Sequence, residues 1–192
     1  MAGHFEALPG GGAAVALDEV EIAILRSLAV QLMELIGPGD EPVEGEDPLA
    51  ALFAEGPSEA PSDPALKRLF PDAYGDEDEE LRAAAADFRR FTENDLRARK
   101  REDALAVIRS LDALSSTGED GVILKLTADE SRAWLGALND LRLTIGTRLE
   151  VTDEDESGDL YRLPDSDPRK PMVMAYLWLG ALQESLVETL MP

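Results

Sequence analysis

Four stretches of this chain place apolar residues at helical spacing, and the segments between them are rich in proline, glycine and acid, so helices must supply most of the fold. The first stretch opens at Asp18, an N-cap with Glu21 three residues on in the manner of a capping box. Val20, Ile24, Leu28, Leu32 and Leu35 follow at spacings of four and three, and Gly37-Pro38 stops the helix. The second, residues 77–115, is the longest. Its four acids at 77–80 suit the positive end of a helix dipole. Leu81, Ala85, Phe88 and Phe91 form one face; Leu105, Ile108 and Leu111 form another. The phase slips between Phe91 and Leu96, where Thr92-Glu93-Asn94-Asp95 could recap a new helix, so one kinked helix and two helices both fit. In the third stretch, Thr127 caps with Glu130, and Trp134, Leu138, Leu141, Ile145 and Leu149 make the stripe. The last, about 171–190, carries Met172, Tyr176, Leu179, Leu182, Leu186 and Leu190, widened by Val173, Leu177 and Trp178. So broad an apolar face is either core or shared with a partner.

Extended structure is confined to short pieces. His4 to Leu8 and Ala13 to Leu17 flank Pro9-Gly10-Gly11-Gly12 as a hairpin over 4–17, and Val122 to Leu126 has the β-branched character of a strand that could pair with it. The stretch 37–76 is an acidic excursion rich in Pro and Gly. Asp47-Pro48 and Asp63-Pro64 each open a short helix there, the first with Leu49, Leu52 and Phe53, the second with Leu66, Leu69 and Phe70. The expected architecture is a single domain, 1–192, of the α+β class and mostly α-helical: five to seven helices with a three-stranded antiparallel sheet from residues 4–8, 13–17 and 122–126. A chain of this length buries roughly 70% of its unfolded surface. Trp134, Leu138, Leu141, Ile145, Phe88, Leu28, Leu32, Leu179 and Leu186 are the expected core.

Composition narrows the chemistry. With no cysteine, no disulfide, thiolate metal site or thiol redox switch can form within the chain, and the single histidine, His4, has no second imidazole to share a metal. His4 reads as a surface residue of the first strand. The longest apolar run, Met172 to Leu182, is too short to cross about 30 Å of hydrocarbon, and no signal peptide is visible, so a cytoplasmic protein is expected. The net charge is −22 and uneven: residues 1–66 hold thirteen acids against one base, Arg26. Such a field repels phosphate backbones and disfavours direct DNA binding, while it suits solubility or a basic partner protein.

Few motifs suggest a site. Asp153, Asp155, Ser157, Gly158 and Asp159 imitate the first half of a calcium loop, but Pro164 stands where the closing bidentate carboxylate belongs, so a solvated acidic loop is the reading. No serine lies in a nucleophile-elbow setting and no glycine loop precedes a helix to cradle phosphate. Arg97, Arg99, Lys100 and Arg101 form the densest basic cluster, either a contact for RNA or DNA phosphate or for the acidic lobe of another protein, or internal balance for Asp95, Glu102 and Asp103, with no interleaved aromatics to stack on bases. Asn139, Asp140 and Arg142 interrupt the apolar helix that begins near Trp134. Polar groups beside a buried stripe must be hydrogen-bonded, so they lock this helix to the long one or line a groove.

Several blocks together resemble a known group. They are Asp63 to Tyr74, Phe88-Arg89-Arg90-Phe91-Thr92-Glu93, Trp134 to Leu149, and Tyr176-Leu177-Trp178-Leu179 with Leu182-Gln183-Glu184. In order and number they are similar to the actinobacterial family of a domain of unknown function that includes the oxidative-stress regulator AosR. The resemblance implies a cytoplasmic, transcription-linked regulator acting through a sigma factor of the extracytoplasmic-function type. The chain departs from a thiol sensor in having no cysteine, and oxidation of its five methionines would disturb packing rather than replace a thiol switch. The expected function is therefore non-enzymatic, with no cofactor and no metal. A sigma factor, another part of the transcription machinery or a second copy of the chain is the partner, and Trp134, Asn139, Asp140, Arg142, Arg97, Arg99, Lys100 and Arg101 are the candidate contacts. The alternative is an adaptor or structural homodimer, built on the last helix, in a pathway such as regulated proteolysis. An enzyme working through a carboxylate pair among the forty acids is a third reading, with no pair favoured by the sequence.

Overall fold

A computed structural model describes residues 3–37, 56–75, 77–114, 121–152 and 162–191. The Asp47-Pro48 helix and the acidic loop Asp153 to Asp159 lie outside the described residues. Three strands come first in the architecture: β1 (Glu6–Leu8), β2 (Gly12–Leu17) and β3 (Val122–Leu126), antiparallel in the order β1-β2-β3. Gly10 and Gly11 take φ of 95° and 87° at the hairpin turn, where a side chain would be strained. Ala13 pairs with Leu126, Val15 with Leu124 and Leu17 with Val122, so the buried residues of both strands share one face.

Five helices are present among the described residues: α1 (Glu19–Ile36), α2 (Pro64–Leu69), α3 (Glu79–Asp112), α4 (Ala128–Arg148) and α5 (Lys170–Leu190). The fold is α+β and mostly helical. The capping boxes form as the sequence indicates: Asp18 accepts from the Glu21 amide at 2.8 Å while Glu21 accepts from the Asp18 amide at 3.0 Å, and Thr127 and Glu130 do the same for α4. Asp63 caps α2 by accepting from the amides of Ala65 and Leu66, with Pro64 in the first turn. No described helix is long and apolar enough to cross a membrane.

The inner face of the sheet packs with α1, α4, α5 and the C-terminal half of α3 around one hydrophobic core. Leu179, Leu182 and Leu186 of α5 are fully buried there, so most of the broad apolar face of the last helix belongs to the core. The amide of Phe5 donates to Ser185 Oγ at 3.1 Å, fastening the start of the described chain to α5.

Two sequence expectations need correction, on the buried row of α1 and on Phe88, and the choice the sequence left open for the long helix is decided. The buried row of α1 is Leu25, Ala29, Leu32 and Ile36, whereas Val20 is 66% exposed, Ile24 40% exposed and Leu28 half-buried. Both rows have helical spacing; contacts with α3 and α4 select the second. The long helix is one continuous element of 34 residues, with no recapping at Thr92. Phe88, expected in the core, is 49% exposed, and Phe91 is 66% exposed. Arg89 and Glu93 take the inward positions instead.

Candidate functional site

The chemistry-bearing residues gather along α3. In its N-terminal half, Arg89, Glu93 and Arg97 recur every four residues and therefore share a face. That face turns inward, leaving Arg89 only 4% and Glu93 3% exposed. Arg89 donates to Glu93, to the Phe70 carbonyl at 3.0 Å and to Asp72 Oδ1 at 2.8 Å. The other oxygen of Glu93 accepts from Arg97 Nε and Nη2 at 2.9 and 2.7 Å. Arg97 also donates to the carbonyl of Ile36, at the end of α1, and lies over the Phe70 ring at 4.4 Å. The last turn of α1 has no basic residue of its own. A guanidinium from α3 therefore meets the negative end of that helix, and the cluster ties the ends of α1 and α2 to α3.

One turn further on, Lys100 donates to Asp140 Oδ1 of α4 at 2.6 Å. Asp140 is 2% exposed. Burial raises its carboxyl above the ordinary carboxylate range, opposed by Lys100, and burial raises Asp103 beside it in the same direction, opposed by Arg99. A carboxyl whose pKa is higher folded than unfolded holds its proton more tightly in the native state. Its contribution to stability therefore falls as pH rises from the ordinary value of 3.8 through the raised one. Asp140→Asn removes that dependence. Its stability relative to the parent should improve as pH rises above the ordinary value of 3.8 in urea titrations, and a flat or falling difference would contradict the assignment.

On the other side of α4, Arg142 Nη1 donates to Gln183 Oε1 of α5 at 2.6 Å, and its guanidinium lies over the Tyr176 ring at 5.4 Å. Gln183 in turn donates to Asn139 Oδ1 at 3.4 Å. Two open grooves, of about 550 and 660 Å³, flank Arg142; Tyr176 and Thr147 line the first, Gln183 and Glu184 the second. Trp134 is fully buried, donates from Nε1 to Ser110 Oγ at 2.9 Å, and meets Phe5 edge to face at 5.9 Å.

The eight candidate contacts thus divide. Trp134, Asp140, Arg97 and Lys100 are engaged inside the fold, Arg142 bridges α4 and α5 from a half-buried position, Arg101 is half-buried, and Asn139 and Arg99 are exposed. Among the described residues no group of three or more His, Cys, Asp or Glu side chains is placed to hold a metal. Sequence reasoning missed the inward Arg89–Glu93–Arg97 ladder. Its signal was legible as alternating charge at a spacing of four, overshadowed by the two phenylalanines beside it.

The profile of the family described as "Domain of unknown function (DUF2017)" matches residues 2–190. The chain belongs to this family. Among curated relatives, the "Oxidative stress regulator AosR" of Mycobacterium tuberculosis (strain ATCC 25618 / H37Rv) is 31% identical over 176 residues, covering 89% of this chain and 78% of the relative. The "Putative oxidative stress regulator AosR" of Mycobacterium leprae (strain TN) is 32% identical over 176 residues, covering 89% of this chain and 79% of the relative. No solved structure matches the chain. The family alignment takes in all three strands and all five described helices, so the clusters along α3 belong to the matched region.

Proposed function

We propose that this chain is a cytoplasmic, stress-linked regulator that acts by binding a protein of the transcription apparatus, such as an extracytoplasmic-function sigma factor, and that it catalyses no reaction. The observation that carries this reading is the alignment of 89% of the chain with mycobacterial proteins named as oxidative stress regulators. The geometry supports it in a second way. The buried carboxylates Glu93 and Asp140 are each bound to a cation that fastens one element to another, a structural use of charge. A chain of charge −22 would dock on a basic surface of its partner. With no cysteine in the sequence, thiol sensing would reside in that partner or upstream of it.

Affinity capture of the tagged chain from its own cells, at low and high salt with mass-spectrometric identification, tests the proposal. A sigma factor or polymerase subunit recovered at low salt and lost at high salt is the expected result. Recovery of protease components, or of the chain alone, would overturn it in favour of an adaptor or homodimer.

A further inference from the structure

The N-terminal half of α3 is inverted: its charged ladder faces the protein, while an apolar row on the other side is half-buried at Leu81 and Ala84 and exposed at Phe88 and Phe91. Leu81, Ala84, Phe88 and Phe91 follow one another at spacings of three, four and three, the a/d pattern of a coiled-coil seam. Phe88 and Phe91 are 49% and 66% exposed, and Tyr74, 48% exposed, packs edge-on against Phe88 at 6.2 Å. The row runs roughly 15 Å, nearly three turns, along a continuous helix. Aromatic side chains clustered in water on a rigid element are characteristic of an interaction surface.

The flanking charges indicate the occupant. With Leu81 at position a, Asp78 falls at e, and Glu80 and Asp87 fall at g; all three are exposed. No base stands at an e or g position of this segment. Arg82 and Arg89 fall at b and Arg90 at c; Arg90 pairs with Asp87 at 3.2 Å and lies over the Phe91 ring at 4.9 Å. A second copy laid antiparallel would set the acids at g against one another, on chains that each carry −22. We propose that this ridge docks an amphipathic helix of a partner protein, with aliphatic residues along its seam and Lys or Arg at the flanking positions. The inference rests on the partner-binding reading above and assigns it a surface.

The probe is a labelled synthetic helix of three heptads with Leu at a and d and Lys at e and g, whose like charges also discourage self-pairing. Its binding to the full chain is read by fluorescence anisotropy. Phe88→Ser/Phe91→Ser should weaken binding at least tenfold, about 1.4 kcal/mol, and leave the chain cooperatively folded with only a small fall in thermal midpoint from the lost Tyr74 contact, because neither ring belongs to the core. Glu80→Lys/Asp87→Lys should do the same, while Glu184→Lys/Glu188→Lys on α5 leaves affinity unchanged. Equal binding by the serine variant, or by a peptide of scrambled sequence, would reduce the effect to bulk charge and overturn the proposal. So would a dimer in sedimentation equilibrium that the serine variant disperses. Failure here with successful capture of a sigma factor overturns the ridge alone; peptide binding with failed capture overturns the transcription reading and leaves the ridge standing.

Discussion

Glu93→Ala should destabilise the protein by about 3–5 kcal/mol, the usual cost of leaving buried charge without its partner. Glu93 is the anion between two guanidinium groups: Arg89 bonds one of its oxygens, Arg97 the other, and the carboxylate is 3% exposed. Without it, two like charges face each other across a space that water barely reaches. Arg89 would keep Asp72 and the Phe70 carbonyl, and Arg97 the Ile36 carbonyl, so the residual bonds favour the lower part of that range. A triple replacement, Arg89→Met/Glu93→Leu/Arg97→Met, separates the cost of the orphaned charges from the worth of the network. Apolar residues of similar volume should restore much of the stability lost in the single variant. Urea unfolding reads both. A loss below about 1 kcal/mol for Glu93→Ala would mean that the two arginines reach solvent on their own.

Trp134→Ala should cost about 3–5 kcal/mol by removal of a large core side chain. The indole is fully buried and edge-packed on Phe5, in contact with the core that α3, α4 and the sheet share. Its N–H also satisfies Ser110 Oγ, which itself donates to the Ala106 carbonyl at 2.7 Å. Trp134→Phe should lose less, since it keeps most of the volume and gives up the hydrogen bond, a net term of about 0.5–1.5 kcal/mol plus the cost of imperfect filling. If Trp134→Ala instead cost under about 1 kcal/mol while weakening partner binding, the residue would belong to an interface rather than to the core.

The helices could be read before the fold because their signals are local. Asp18 with Glu21, Asp63 with Pro64, and Thr127 with Glu130 each satisfy amides within a few residues, and the structure starts helices at each. The strands were marked in the same way, by a glycine turn and a β-branched run. The candidate contacts were less legible. A dense basic cluster at Arg97 to Arg101 looks like a surface feature in one dimension, yet Arg97 and Lys100 bind carboxylates within the fold while Arg99 is exposed. Residues two apart on a helix point in quite different directions, and only the packed neighbours determine which direction is inside.

Sequence alone determined the element types, the caps, the family and the lack of thiol chemistry, because each follows from a residue's own chemistry or that of residues a turn away. Tertiary structure alone decided which row of α1 is buried, that α3 continues unbroken, and that Arg89 and Glu93 face inward with Phe88 and Phe91 outside. Those outcomes depend on partners distant in sequence: the Ile36 and Phe70 carbonyls that bind the arginines, and the helices that set the rotation of α1. Helical periodicity is unchanged when a helix turns about its own axis, so it marks candidate faces, and the inward one is set by what lies opposite.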